Sequence, residues 1–146
     1  MPSEKWDRRF LELAKHVAQW SKDPSTKVGA VIVDNDKRIV SVGYNGFPKG
    51  VKDRDDRLLD RTIKYQIVVH AEVNALLFAG RSVKGCTLYT WPFLSCSSCT
   101  SMCINAGIER IATIDNFPDR WAGNLLLSQV LYREAQVEVT LLEDLK

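Results

Sequence analysis

Apolar residues recur at three- and four-residue steps through residues 6–20: Trp6, Phe10, Leu13, Ala14, Val17 and Ala18. That spacing places them on one side of a helix with a buried face. Asp23-Pro24-Ser25 ends the pattern, because proline disfavours helical geometry in the residue before it. Val28-Gly29-Ala30-Val31-Ile32-Val33 is a continuous apolar run rich in β-branched side chains, which suits a strand covered on both faces. Asp34-Asn35-Asp36 reads as a turn, and residues 38–44 as a second strand forming a hairpin with the first. Residues 47–64 are charged and aperiodic, which predicts a loop with room for one helical turn. Helical spacing returns over residues 70–79, with Gly80 as the stop. Residues 86–91 read as a third strand. Residues from 95 or 97 to 106 form a third helix, closed by Gly107, and residues 109–114 a fourth strand. A helix over 122–134 and a strand over 137–142 complete the pattern. The order α-β-β-α-β-α-β-α-β predicts one sheet sandwiched by helices.

Length and charge narrow this picture. A chain of 146 residues is expected to be a single domain, 1–146, since two cores would leave each half marginal. Hydrophobic residues make up 45% and charged residues 26%, which argues against disorder. A net charge of +2 demands neither nucleic acid nor an anionic membrane, although a few local cations suffice to meet one phosphate. No apolar run approaches the ~20 residues that cross a bilayer. The start, Met-Pro-Ser-Glu-Lys-Trp, lacks the apolar stretch of a signal peptide, so the expected compartment is the cytoplasm. Cys86, Cys96, Cys99 and Cys103 fall within one short stretch. In a reducing compartment such cysteines bind metal or stay free more often than they form disulfides.

Two short motifs carry chemistry: His70-Ala71-Glu72 and Cys96-Ser97-Ser98-Cys99, each opening a predicted helix. A catalytic zinc site takes three protein ligands and keeps one position open for water. One imidazole, His70, and two thiolates, Cys96 and Cys99, fill the three. A Cys-x-x-Cys pair at a helix N-terminus brings both sulfurs round one point, where backbone N–H groups and the helix dipole favour thiolates. Zinc lowers the pKa of its water from about 16 towards 7. Glu72, two residues from the histidine and not a ligand, fits the group that then moves protons. Blander readings exist for each part. Cys86 or Cys103 could complete a structural four-ligand site. A redox Cys-x-x-Cys would need no His-Ala-Glu. The joint pattern is far more specific, because His-x-Glu followed by Pro-Cys-x-x-Cys is the signature of zinc deaminases.

With these residues in view, the chain resembles the cytidine and deoxycytidylate deaminase superfamily, and its deoxycytidylate branch in particular. The likeness runs through Asp23-Pro24-Ser25-Thr26-Lys27-Val28-Gly29-Ala30, Gly43-Tyr44-Asn45-Gly46-Phe47-Pro48, residues 70–76, Thr87-Leu88-Tyr89 and Ala106-Gly107-Ile108. It implies a three-layer α/β/α sandwich with one mixed, five-stranded sheet. It implies one Zn2+ per chain and hydrolytic deamination of a cytosine deoxynucleotide, dCMP to dUMP. Asn45 is then expected at the sugar hydroxyl, although Asn-Gly is also a common turn pair. Backbone groups near Ala71 and in the loop from Trp91 are expected to read the pyrimidine. Lys27 is the first candidate for the phosphate, followed by Arg54, Arg57, Arg61 and Lys64. Tyr65 is expected to pack on the nucleotide or to anchor the loop's end. The resemblance also implies a homo-oligomer, a dimer or hexamer, with dCTP and dTTP as candidate effectors.

Two departures stand out. Ser95 occupies the position where the family carries proline, and Trp91-Pro92-Phe93-Leu94 is one residue longer than the common pattern. Residues 47–64 hold neither cysteine nor histidine, so a single zinc is expected. The competing readings are a deaminase of cytosine or adenosine in RNA or single-stranded DNA, and a non-catalytic zinc-stabilised interaction module.

Overall fold

The computed structural model describes residues 3–144. Five strands form one sheet in the order β2-β1-β3-β4-β5. They are β1 (Gly29–Val33), β2 (Ile39–Tyr44), β3 (Thr87–Trp91), β4 (Arg110–Ile114) and β5 (Glu138–Leu142). β1 pairs antiparallel with both β2 and β3, whereas β3–β4 and β4–β5 are parallel, so the sheet is mixed. Six helices accompany it: α1 (Glu4–Ala18), α2 (Asp55–Leu58), α3 (Arg61–Ile67), α4 (Ala71–Phe78), α5 (Ser97–Ala106) and α6 (Asp119–Glu134).

Strand alternation divides the core into two layers. Ala30, Ile32, Leu88 and Ile111 face Ala71 and Ala75 of α4, Cys103 of α5, and Leu125 and Tyr132 of α6. Their neighbours Val31, Val33, Tyr89, Ala112 and Ile114 face Phe10, Leu11 and Ala14 of α1. Helices on both faces explain why β1 and β4 are buried along their whole length and why β1 reads as an unbroken apolar run. The architecture is the expected α/β/α sandwich. No described helix is long and apolar enough to cross a membrane.

Two glycines let the layers close. A Cβ on Gly29 would lie 1.9 Å from the Ala14 carbonyl oxygen of α1. A Cβ on Gly43 would lie 2.5 Å from both the Ala71 carbonyl oxygen and the Ala75 nitrogen of α4. Gly43 thus fixes how near α4, with its first-turn Glu72, comes to the sheet.

The segment 47–64 differs from the expected loop. It contains the single turn of α2, and α3 begins within it. Asp60 caps α3 by accepting hydrogen bonds from the Thr62 and Ile63 N–H groups. The buried ammonium of Lys64 ties α3 to Asp23 at 3.2 Å. A cap and one long-range ion pair hold this helix, neither of which leaves an apolar period. The last helix starts at Asp119, earlier than the expected 122, with Pro118 as its N-cap.

Candidate active site

Both chemical motifs sit where a helix begins. His70 is the N-cap of α4 and Cys96 the N-cap of α5, and neither side chain caps its own helix. The side chains are left free to face each other. His70 Nδ1 lies 3.1 Å from Cys99 Sγ and 3.4 Å from Cys96 Sγ. The three donor atoms lie within 4.8 Å of one another and form the one such metal-capable group among the described residues. A tetrahedral zinc ion with ordinary Zn–N and Zn–S bonds would separate nitrogen and sulfur by about 3.6 Å. The donor set therefore fits zinc. Cys86 and Cys103 lie outside the group, and both are buried. Three protein ligands leave a fourth position open.

Charge in the cluster points the same way. The Cys96 thiol is pushed down by hydrogen bonding with the Cys99 thiol and with His70. The Cys99 thiol is pushed up by that same bond to Cys96 and by burial. A site that already favours one thiolate beside an imidazole suits a divalent cation that replaces the remaining thiol proton. Cys103 is pushed up to about 12, chiefly by burial, and behaves as a core thiol.

Glu72 stands in the first turn of α4 and is only 4% exposed. Burial raises its carboxyl above the ordinary value, with the His70 charge opposing. His70, Ala71, Glu72 and Cys96 line one cleft of about 680 Å3 of empty space. Phe93, Leu94 and Leu125 give it apolar walls, while Asp23, Thr26, Asn45, Lys64, Tyr65, Arg120 and Trp121 give polar and aromatic ones.

Four of the expected substrate residues line this cleft: Asn45, Lys64, Tyr65 and Ala71, whereas Arg54, Arg57 and Arg61 do not. Asn45 is committed internally. Its Oδ1 accepts from the Val28 N–H at 2.9 Å, and its Nδ2 donates to the Thr26 carbonyl at 2.9 Å and to Asp23 Oδ2 at 3.4 Å. It shapes the wall formed by residues 23–28. Two further expected residues lie elsewhere. Lys27 is exposed and is not part of the lining to which its neighbours Thr26 and Val28 contribute. Trp91 packs in the α1-side core, with the Lys15 ammonium 5.8 Å from its ring centroid. The same loop nevertheless reaches the cleft through Phe93 and Leu94.

Sequence reasoning missed the wall built by α6. Arg120, Trp121 and Leu125 come from a helix far along the chain. The Arg120 guanidinium donates to Thr26 Oγ1 at 3.3 Å, linking two residues of the lining, and stacks 4.8 Å from the Trp121 ring centroid. The adjacent pair of a cation and a large aromatic at the helix start was the available signal. Of the cations lining the cleft, Lys64 is buried against Asp23, and Arg120 is exposed.

The comparisons agree with this geometry. The family model described as the cytidine and deoxycytidylate deaminase zinc-binding region matches residues 4–114. An uncharacterized deaminase of the luxG 3' region of Aliivibrio fischeri is 45% identical over 139 residues, covering 93% of this chain and 92% of that one. The deoxycytidylate deaminase of Homo sapiens is 40% identical over 114 residues. That match covers 73% of this chain and 62% of the human one, so this chain spans about three-fifths of the human relative's length. The dCMP deaminase of cyanophage S-TIM5, solved in complex with dCMP and dUMP, has the same fold. It matches with a TM-score of 0.79 at 23% identity, over 97% of this chain and 100% of that one. With its His-Cys-Cys group set to bind zinc, this chain belongs to the cytidine and deoxycytidylate deaminase family.

Proposed function

We propose that the chain hydrolyses dCMP to dUMP and ammonia. The observation that carries this is the convergence of His70, Cys96 and Cys99 with a buried Glu72 outside the ligand group in one cleft. Deoxycytidylate deaminases from several animals are about 40% identical to it over 113 or 114 aligned residues. Zinc, when bound, supplies an acidified water and polarises its oxygen. Beside that group, Glu72 would take a proton from the water as its oxygen bonds to C4, and place that proton on the ring nitrogen beside C4. It then delivers the second proton to the exocyclic amine. The C4–N bond breaks, ammonia leaves, and C4 keeps the oxygen of the water. Burial suits Glu72 to this, because raising a carboxyl above its ordinary value makes it a stronger proton acceptor.

Arg120 is the better phosphate ligand than Lys27. It is an exposed cation on the cleft lining, whereas Lys27 is not part of that lining. The test is ammonia release from dCMP, CMP, deoxycytidine, dCTP, single-stranded DNA and RNA. The first four are measured with and without added dCTP or dTTP as effectors, alongside the oligomeric state in solution. Preference for dCMP supports the reading; release from RNA or DNA with none from dCMP overturns it.

A further inference from the structure

The Cys96–Cys99 turn is held from outside its own helix. Cys96 occupies the N-cap of α5, where a hydroxyl or carboxylate would ordinarily take up the first free N–H groups. A metal-ligating thiol cannot also do that. The Ser97 N–H instead donates to Oδ1 of Asn124 on α6 at 2.9 Å, and Asn124 Nδ2 donates back to Ser97 Oγ at 2.9 Å.

Four residues on, Ser128 Oγ donates to the Ser95 carbonyl at 2.7 Å. Four residues further, the Tyr132 hydroxyl lies 2.7 Å from Ser95 Oγ, which lies 2.7 Å from Thr100 Oγ1. Ser95, Thr100, Ser128 and Tyr132 are all fully buried. Tyr132 donating to Ser95, Ser95 to Thr100 and Thr100 to the Ser95 carbonyl at 3.4 Å gives each of these protons an acceptor. The network therefore grips residue 95, just before the first ligand, and residue 100, just after the second. Asn124, Ser128 and Tyr132 stand at four-residue steps, so they form one stripe on α6. α6 lies beyond the family-matched residues 4–114.

We propose that the Asn124–Ser128–Tyr132 stripe sets the geometry of the Cys96–Cys99 turn, making these three positioning residues for the metal ligands. The stripe takes the place of backbone stiffening by a proline at position 95. It preorganises the two sulfurs, so metal binding does not have to order the loop. The inference rests on zinc binding by His70, Cys96 and Cys99. A wild-type chain that bound no zinc would refute that assignment, whereas the comparison below refutes the stripe alone.

The test measures zinc affinity by chelator competition in the full chain, for Ser128→Ala, Tyr132→Phe and Asn124→Ala. Leu142→Ala, in the core on the opposite face of the sheet, is the control for general destabilisation. Removing a group that orients metal ligands weakens metal binding by about 10–100-fold. That range is expected for Ser128→Ala and Tyr132→Phe. A smaller loss is expected for Asn124→Ala, where water can replace an exposed bond. The cobalt(II)-substituted proteins should show altered ligand-field bands in the stripe variants and unaltered bands in Leu142→Ala. Zinc affinities within about twofold of wild type in both buried variants would overturn the proposal, as would equal loss in Leu142→Ala. If Tyr132→Phe fails to fold, Asn124→Ala decides through the same two readouts, since it removes only an exposed side chain.

Discussion

Glu72 sits buried beside a group of metal ligands that it does not join, an arrangement costly for a structural carboxylate and useful for a proton carrier. Glu72→Gln keeps the shape and the hydrogen-bonding reach but cannot carry a proton. The expected outcome is a folded, zinc-loaded protein whose kcat falls by about 10²–10⁴-fold. Near-normal turnover in a zinc-loaded sample would remove Glu72 from the mechanism. At the far end of the cleft, Arg120→Ala should raise KM for dCMP by about tenfold or more, the worth of one charge-assisted hydrogen bond. Deoxycytidine kinetics should barely change, and Lys27→Ala should change neither; equal losses on both substrates would mark Arg120 as structural. The ligands and Glu72 were legible in the sequence because chemistry forces them into short, fixed spacings. Arg120 and Trp121 were not, because a cleft wall needs only proximity in space. Ser95 shows the limit in another way. From sequence, Ser95→Pro should act on loop geometry and leave zinc bound. The structure adds a stability cost, since proline would remove the Ser95 hydroxyl that pairs with the buried Tyr132 hydroxyl. A buried group left unpaired costs about 1–3 kcal/mol, which a denaturant titration of Ser95→Pro measures directly.

Elements with one local cause were read correctly from the chain; elements with a tertiary cause were not. α1 carries its own cap at Ser3, and β1 has an unbroken apolar run, so both are local statements. α3 depends on Lys64 reaching across to Asp23, and its charged residues hide any period. The glycines of Gly43-Tyr44-Asn45-Gly46 make the same point from inside one motif. Gly46 has open space where a Cβ would go, whereas Gly43 is pressed against the α4 backbone. Gly46→Ala should therefore shift stability by less than about 1 kcal/mol. Gly43→Ala must push α4 outward, at a cost of about 1–3 kcal/mol or more. It should also lower kcat, because α4 carries Ala71 and Glu72 on its first turn. Melting curves and steady-state kinetics on the two variants separate the cases; equal behaviour would mean that the approach of α4 to the sheet does not position Glu72.

Across the whole molecule, one buried ion pair fastens α1 to the far strands. Asp7 accepts hydrogen bonds from Arg110 Nη1 at 2.9 Å, Arg110 Nη2 at 2.6 Å and the Tyr89 hydroxyl at 2.7 Å. Tyr89 is 3% exposed, and burial followed by its bond to Asp7 raises its pKa well above the ordinary value. The folded chain therefore holds a proton that the unfolded chain gives up near pH 10. Below that pH both states are protonated, and Tyr89 contributes no pH dependence. Above it the unfolded state binds fewer protons than the native one, so stability falls with rising pH, by about 1.4 kcal/mol per pH unit for this one group. Tyr132, also raised by burial, adds a second such slope, and Cys103, pushed up to about 12, begins earlier. Tyr89→Phe isolates the first contribution while leaving the Asp7–Arg110 pair in place. Denaturant titrations of wild type and Tyr89→Phe should run parallel below about pH 9.5 and converge by about 1.4 kcal/mol for each pH unit beyond 10. Parallel curves up to pH 11 would mean that Tyr89 ionises in the folded chain and that the fastening of α1 to β4 is open to solvent.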